Sequence, residues 1–222
     1  MAIDGIEAPS PPSQSQSISH FGQPRHFYVA VDRLQFKMET LVDLLGVAGR
    51  RTCLPMVVCC SSRDELDAVS SAVSNLPYIS FSSLGLKKGK LVIGDDIVCK
   101  ACSSNRIYTC RATISWNQNV SAQSRDDSKT GKDEQKSRMI VVTDACLLVL
   151  ASRESPISAR VLINYALPMK KETYMRRIAT CLAADGVVIN MVIGGEVVTL
   201  KSIEESSNLV IAEMPINVSE IL

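Results

Sequence analysis

The chain has almost no net charge. Its 24 Lys and Arg stand against 23 Asp and Glu, a formal +1 at pH 7. Bulk electrostatics therefore cannot draw it onto a polyanion, and any nucleic-acid contact needs a local patch that neutralises phosphates. No apolar run reaches the roughly 18 residues of a membrane span, so no membrane partner is predicted. Residues 1–23 lack a basic start and an apolar core, which argues against a secretory leader. The two histidines, His20 and His26, have no catalytic company in the sequence. No G-x-x-x-x-G-K-[ST] string occurs. The nearest, Gly85-Leu86-Lys87-Lys88-Gly89-Lys90-Leu91, is one residue short and ends in leucine. A phosphate loop needs its full set of backbone N–H groups and a hydroxyl for Mg²⁺, so this string reads as a basic surface loop.

What is present suits one α/β domain with extra segments. Hydrophobic residues make up 46% of the chain and charged residues 21%, ordinary values for a globular protein. Of eight cysteines, Cys53, Cys59, Cys60 and Cys146 lie in or beside apolar strand-like runs. That placement predicts reduced, buried thiols and a cytoplasmic or nuclear protein. Cys99-x-x-Cys102 with Cys110 lacks the fourth ligand of a structural zinc site, so no metal is predicted.

Residues 1–24, rich in Ser, Pro and Gln, predict a disordered tail. From residue 25 to 222 the elements alternate. Phe27 to Val31 is a strand-type run, and Leu34, Met38, Leu41, Leu45 and Ala48 recur at helical spacing. Leu54 to Cys60 is an unbroken apolar run, as expected of a strand covered on both faces. Ser61-Ser62-Arg63-Asp64-Glu65 then opens a helix striped by Leu66, Val69 and Val73, and Tyr78 to Phe81 is another strand. From Met139 onward the order is strand, loop, strand, helix, strand, helix, with Gly186 placed to end the helix that begins near Lys170. Alternation of this kind implies a parallel sheet with helices on both faces. The stretch 85–138 breaks the rhythm, and its second part, 117–138, is polar enough to predict a disordered loop. Asp133-Glu134-Gln135-Lys136 belongs to that solvated charge run.

Seven segments in order carry a family resemblance. They are His26 to Arg33, Met56 to Arg63, Ile79 to Leu84, Met139 to Asp144, Ile163 to Pro168, Tyr174 to Ile178, and Gly186 to Met191. Together they resemble the second, C-terminal RecA-like domain of DEAD-box RNA helicases, the initiation-factor-four-A-like branch in particular. The resemblance covers about residues 26–84 and 139–222. It implies a RecA-like, P-loop-NTPase-type parallel sheet that closes on a partner RecA domain around ATP and Mg²⁺, with single-stranded RNA held by its phosphates.

The chain departs from that pattern where the chemistry lies. There is no Asp-Glu-Ala-Asp box. The family's Ala-Arg-Gly-x-Asp segment is replaced by Ala145-Cys146-Leu147-Leu148-Val149-Leu150-Ala151-Ser152. Its His-Arg-Ile-Gly-Arg-x-Gly-Arg motif is reduced to Arg176-Arg177-Ile178-Ala179-Thr180, with threonine in the place of the phosphate-facing arginine. Threonine cannot stand in for a bidentate cation. A helix that normally covers the sheet has no counterpart in 85–116, which predicts uncovered apolar surface near Val57 and Val141. By resemblance Arg177 is the residual nucleotide contact, and Arg63, Thr143 and Asp144 are the RNA contacts. Thr143 and Asp144 also end a strand at the sheet edge where open α/β folds hold ligands. Lys170, Lys171 and Arg176 add basic residues at a helix start. The expectation is a degenerate helicase-like protein with no catalytic residue and no cofactor of its own, binding RNA weakly. The alternative is a protein-interaction module that engages a scaffold protein or a helicase partner.

Overall fold

A computed structural model describes residues 22–51, 54–87, 90–93, 136–151 and 157–222. Residues 1–21 and 94–135, with Cys53, Cys99, Cys102 and Cys110, lie outside them, so the expected tail and most of the expected loop are not addressed. The strands are β1 Arg25–Val31, β2 Pro55–Cys60, β3 Ile79–Lys87, β4 Lys90–Ile93, β5 Ser137–Thr143, β6 Ala159–Asn164, β7 Leu182–Ile193 and β8 Ile211–Glu213. The helices are α1 Lys37–Ala48, α2 Arg63–Val73, α3 Asp144–Ala151, α4 Lys171–Cys181 and α5 Val197–Ser207. The described strands form one sheet in the order β4-β3-β5-β2-β6-β7-β1-β8. All neighbours pair in parallel except β3 and β4. No described helix is long and apolar enough to cross a membrane.

Strand side chains alternate between faces, and that period divides the core in two. Met56, Val58 and Cys60 face one way with Leu41, Leu45, Leu66 and Val69 of α1 and α2. Val57 and Cys59 face the other way with Leu147, Tyr174 and Leu200 of α3, α4 and α5. From Met56 to Cys60, β2 is wholly buried between β5 and β6, as its apolar run predicts. Fully burying each such side chain contributes about 1.5–3 kcal/mol.

Ser62 starts α2 with a reciprocal cap. Its hydroxyl accepts from the Glu65 N–H at 3.1 Å, and the Glu65 carboxylate accepts from the Ser61 and Ser62 N–H groups. Ser62→Ala is expected to lower stability by about 1 kcal/mol, read from the denaturant midpoint. An unchanged midpoint would show that the cap contributes nothing.

Several expectations need correcting. Residues 144–151, expected as a loop, form helix α3, because Cys146, Leu147 and Leu150 find an apolar surface to cover. That surface includes Val57, which is wholly buried rather than uncovered. Val141 is wholly buried too, on the face held by α1 and α2. Of the string expected to be a basic loop, Gly85 to Lys87 close β3 and Lys90 and Leu91 open β4, an antiparallel pair with Leu86 opposite Leu91 and Lys87 opposite Lys90; Lys88 and Gly89 lie outside the described residues. Strand β5 starts at Ser137, inside the segment expected to be disordered; the Ser137 hydroxyl donates to the Arg51 carbonyl. Leu34 is 67% exposed in a 3-10 turn, and α1 buries Leu44 where the expected stripe had Leu34. Gly186 does not end a helix. It lies within β7, where a Cβ would meet Leu182 Cδ1 at 2.5 Å.

Candidate functional site

Strand connections decide where a ligand could sit. After β2 the chain leaves to α2 on one face; after its neighbour β5 it leaves to α3 on the other. The carboxyl ends of β2, β5 and β6 therefore flank the crevice that open α/β sheets use for ligands. Cys60 and Thr143 are register partners there, so Ser61-Ser62-Arg63 and Asp144 leave the sheet side by side.

The four predicted contacts meet different fates at this edge. Arg177 is fully buried, on the inner face of α4 with Tyr174 three residues before it. Its Nε and Nη2 donate to the two Asp144 carboxylate oxygens at 2.7 and 2.8 Å. Its Nη1 donates to Asn164 Oδ1 at 2.8 Å and to the Ala166 carbonyl at 2.6 Å. Four of the five N–H groups of the guanidinium are thus satisfied inside the protein. Burial pulls its pKa down, but the hydrogen bond and charge of Asp144 offset that and hold it above the ordinary value. Asp144 keeps 27% of its side chain exposed. Thr143 is nearly buried, and its hydroxyl is tied to the Cys146 sulfur at 3.2 Å. Arg63 is half-exposed at the start of α2 and lies 3.6 Å from Asp67 one turn on.

A second ion pair sits where β1, β7 and β6 end. Lys37 Nζ, almost wholly buried, lies 3.4 Å from Glu196 and 5.6 Å from the Tyr165 ring centre. Both buried cations at this edge are therefore neutralised from within. The neighbouring thiols are inert. Burial, then Cys59 and Glu65, push the Cys60 thiol well up; a bond to Cys59 and burial do the same for Cys181. Among the described residues no cluster of His, Cys, Asp and Glu could hold a metal. Lys170 and Lys171 are exposed, and the Lys171 ammonium is engaged by the Ser206 carbonyl.

Sequence reasoning missed the polar chain behind Arg177. Asn164 Nδ2 donates to Asn190 Oδ1 at 2.7 Å, and Asn190 Nδ2 reaches the Phe27 carbonyl at 2.9 Å and Tyr174 Oη at 3.3 Å. Tyr174 Oη lies 2.8 Å from His26 Nδ1. The signal was there: Val-Leu-Ile-Asn164 and Val-Val-Ile-Asn190 each place one asparagine after an apolar run, and the two pair in register. His26 does have company, in the hydroxyl of Tyr174.

No family model matches the chain. Over 200 residues it is 27% identical to Eukaryotic initiation factor 4A of Cryptosporidium parvum, an alignment that covers 89% of this chain and 40% of that protein. The chain thus spans well under half the length of that relative. The solved C-terminal domain of the DEAD-box protein Dbp5 superposes with a TM-score of 0.54 at 15% identity, covering 87% of this chain and 91% of that one. Dbp5 of S. cerevisiae bound to RNA and ADP BeF3 gives 0.56 at 13%, covering 89% and 43%. In sequence the chain is a relative of the eIF4A-like DEAD-box RNA helicases, and in fold it is similar to their C-terminal RecA-like domain.

Proposed function

We propose that this chain is a degenerate DEAD-box-like module that does not hydrolyse ATP by itself and binds single-stranded RNA weakly through phosphate contacts. The observation that carries the reading is the closed fork of Arg177, whose donors are held by Asp144, Asn164 and Ala166. An incoming phosphate would have to displace that whole set. Thr180, in the position the resemblance gives to a phosphate-facing arginine, is nearly buried and uncharged. These residues do not fit ATP and Mg²⁺, and no hydrolytic step is assigned to them. Arg63 is the best placed RNA contact, bordered by Thr143 and Asp144. The proposed setting is cytoplasmic or nuclear, in keeping with the four cysteines among the described residues, all buried free thiols.

ATP turnover and RNA affinity at two salt concentrations test this reading. Turnover is expected at background with or without RNA. Affinity is expected to fall with salt on a shallow slope, about −0.7 per phosphate contacted. Turnover above background sinks the proposal. Undetectable RNA binding with partner capture would instead support the second reading, a protein-interaction module. Leu148 and Met175, 56% and 40% exposed on the paired helices α3 and α4, favour that reading in part.

A further inference from the structure

The buried polar chain has a direction. Arginine only donates and a peptide carbonyl only accepts. Arg177 therefore fixes Asn164 Oδ1 toward itself and Asn164 Nδ2 toward Asn190 Oδ1. From the other end, the Phe27 carbonyl fixes Asn190 Nδ2, which also donates to Tyr174 Oη. Tyr174 Oη is thus an acceptor on one side. Its single O–H has one acceptor before it, His26 Nδ1 at 2.8 Å. Burial raises the Tyr174 pKa to about 12, so the proton stays on the phenol. Every bond then points from the Arg177 guanidinium to the imidazole, which must be neutral and carry its proton on Nε2.

We propose that this one-way chain is a proton-controlled latch, in which α4 packs fully on β6, β7 and β1 only while His26 is neutral. A protonated ring presents Nδ1–H to Tyr174 Oη, which already accepts from Asn190, and strands the phenolic proton in the core. An unpartnered buried donor is costly. Tyr174 and Arg177 share one face of α4, so loosening the first loosens the grip of the second on Asp144.

The surroundings do little to rescue an imidazolium. Beside it on β1 are Arg25, whose guanidinium holds the Ile221 carbonyl, and Tyr28. From α4 come Tyr174 and the cation Arg177; β7 presents the neutral Asn190. On β8, Glu213 is exposed opposite Tyr28, and from α5 the Glu204 carboxylate accepts from the N–H of Ile211, the register partner of His26. Burial holds the His26 pKa below its ordinary 6.5. The unfolded chain thus binds the proton more readily, and stability falls as pH drops through about 6.5 toward the folded value.

Nitrogen-15 NMR of the wild-type imidazole at neutral pH is expected to show Nε2–H with a bare, hydrogen-bonded Nδ1. Tyr174→Phe removes the donor that favours the neutral ring, so the His26 titration midpoint should rise toward 6.5. Solvent exchange of Arg177 Nε–H should quicken as His26 titrates in the wild type, and His26→Gln should abolish both that change and the associated loss of stability. An Nδ1–H tautomer, a midpoint that falls in Tyr174→Phe, or an Arg177 signal indifferent to the titration would each overturn the latch. The tautomer and exchange measurements need no variant, so an unfolded substitution does not remove the test.

Discussion

Asp144→Ala should lower the unfolding free energy by about 3 kcal/mol, the lower end of the range for orphaning one partner of a buried ion pair. The lower end applies because the carboxylate side is open: Asp144 retains 27% exposure while Arg177 has none. Water can approach from the Asp144 side and solvate part of the charge. Loss of an acid from the first turn of α3 adds about 0.3–1 kcal/mol. Arg177→Met acts by a different route. It removes the buried charge but leaves Asn164 Oδ1 and the Ala166 carbonyl without their donor, at about 1–3 kcal/mol each. In the double variant no buried cation remains to be orphaned, so its loss should be smaller than the sum of the single losses by about 1–3 kcal/mol. Urea unfolding of the three variants measures this directly. A loss below about 1 kcal/mol for Asp144→Ala, with additive effects, would mean that the pair is no more than a solvated surface bridge.

That ion pair also marks the limit of what the sequence made legible. The sheet was readable because its signal is repetitive. Val57 to Cys60, Met139 to Thr143 and Val187 to Val192 are apolar runs too short for helices and too continuous for one-sided strands, and each is a central strand. The start of α2 was readable because capping is local: Ser62 and Glu65 find each other within one turn. By contrast, α3 was misread because Ala145 to Ala151 is apolar on nearly every side, and such a run has no period to identify it. Only the sheet face it covers makes it a helix. The family pattern likewise singled out Arg177 as a phosphate contact, although the partner that ties it down stands 33 residues away. Pairings at that distance are set by the crossover from β5 through β6 to α4, and no local window reports them. Asn164 and Asn190 could have been found, since a lone amide set into each of two matching apolar strands is an expensive choice unless the amides meet.

Thr180→Arg, the substitution that restores the family's phosphate-facing residue, should leave ATP turnover at background, even with saturating RNA. An arginine finger contributes about 10³ to 10⁵ in rate where phosphoryl transfer is otherwise assembled. Here position 180 is in the wrong place to contribute it. Thr180 is the next-to-last residue of α4, its carbonyl accepts from the Ile157 N–H at 2.8 Å, and β7 begins two residues later at Leu182. Leu182 pairs with Ala159, the first residue of β6. That register puts Thr180 at the amino edge of the sheet, whereas Thr143 and Asp144 leave from the carboxyl edge. The side chain is also almost buried, so the longer arginine either overpacks the α4–β7 junction or turns out to solvent. Overpacking of this kind costs about 1–3 kcal/mol, visible as a lower denaturant midpoint. A tenfold or greater rise in RNA-stimulated turnover would show that this edge still assembles a phosphoryl-transfer site. An unchanged rate with a lowered midpoint would agree with an amino-edge position for residue 180, from which a longer side chain overpacks the α4–β7 junction without reaching Thr143 and Asp144 at the carboxyl edge.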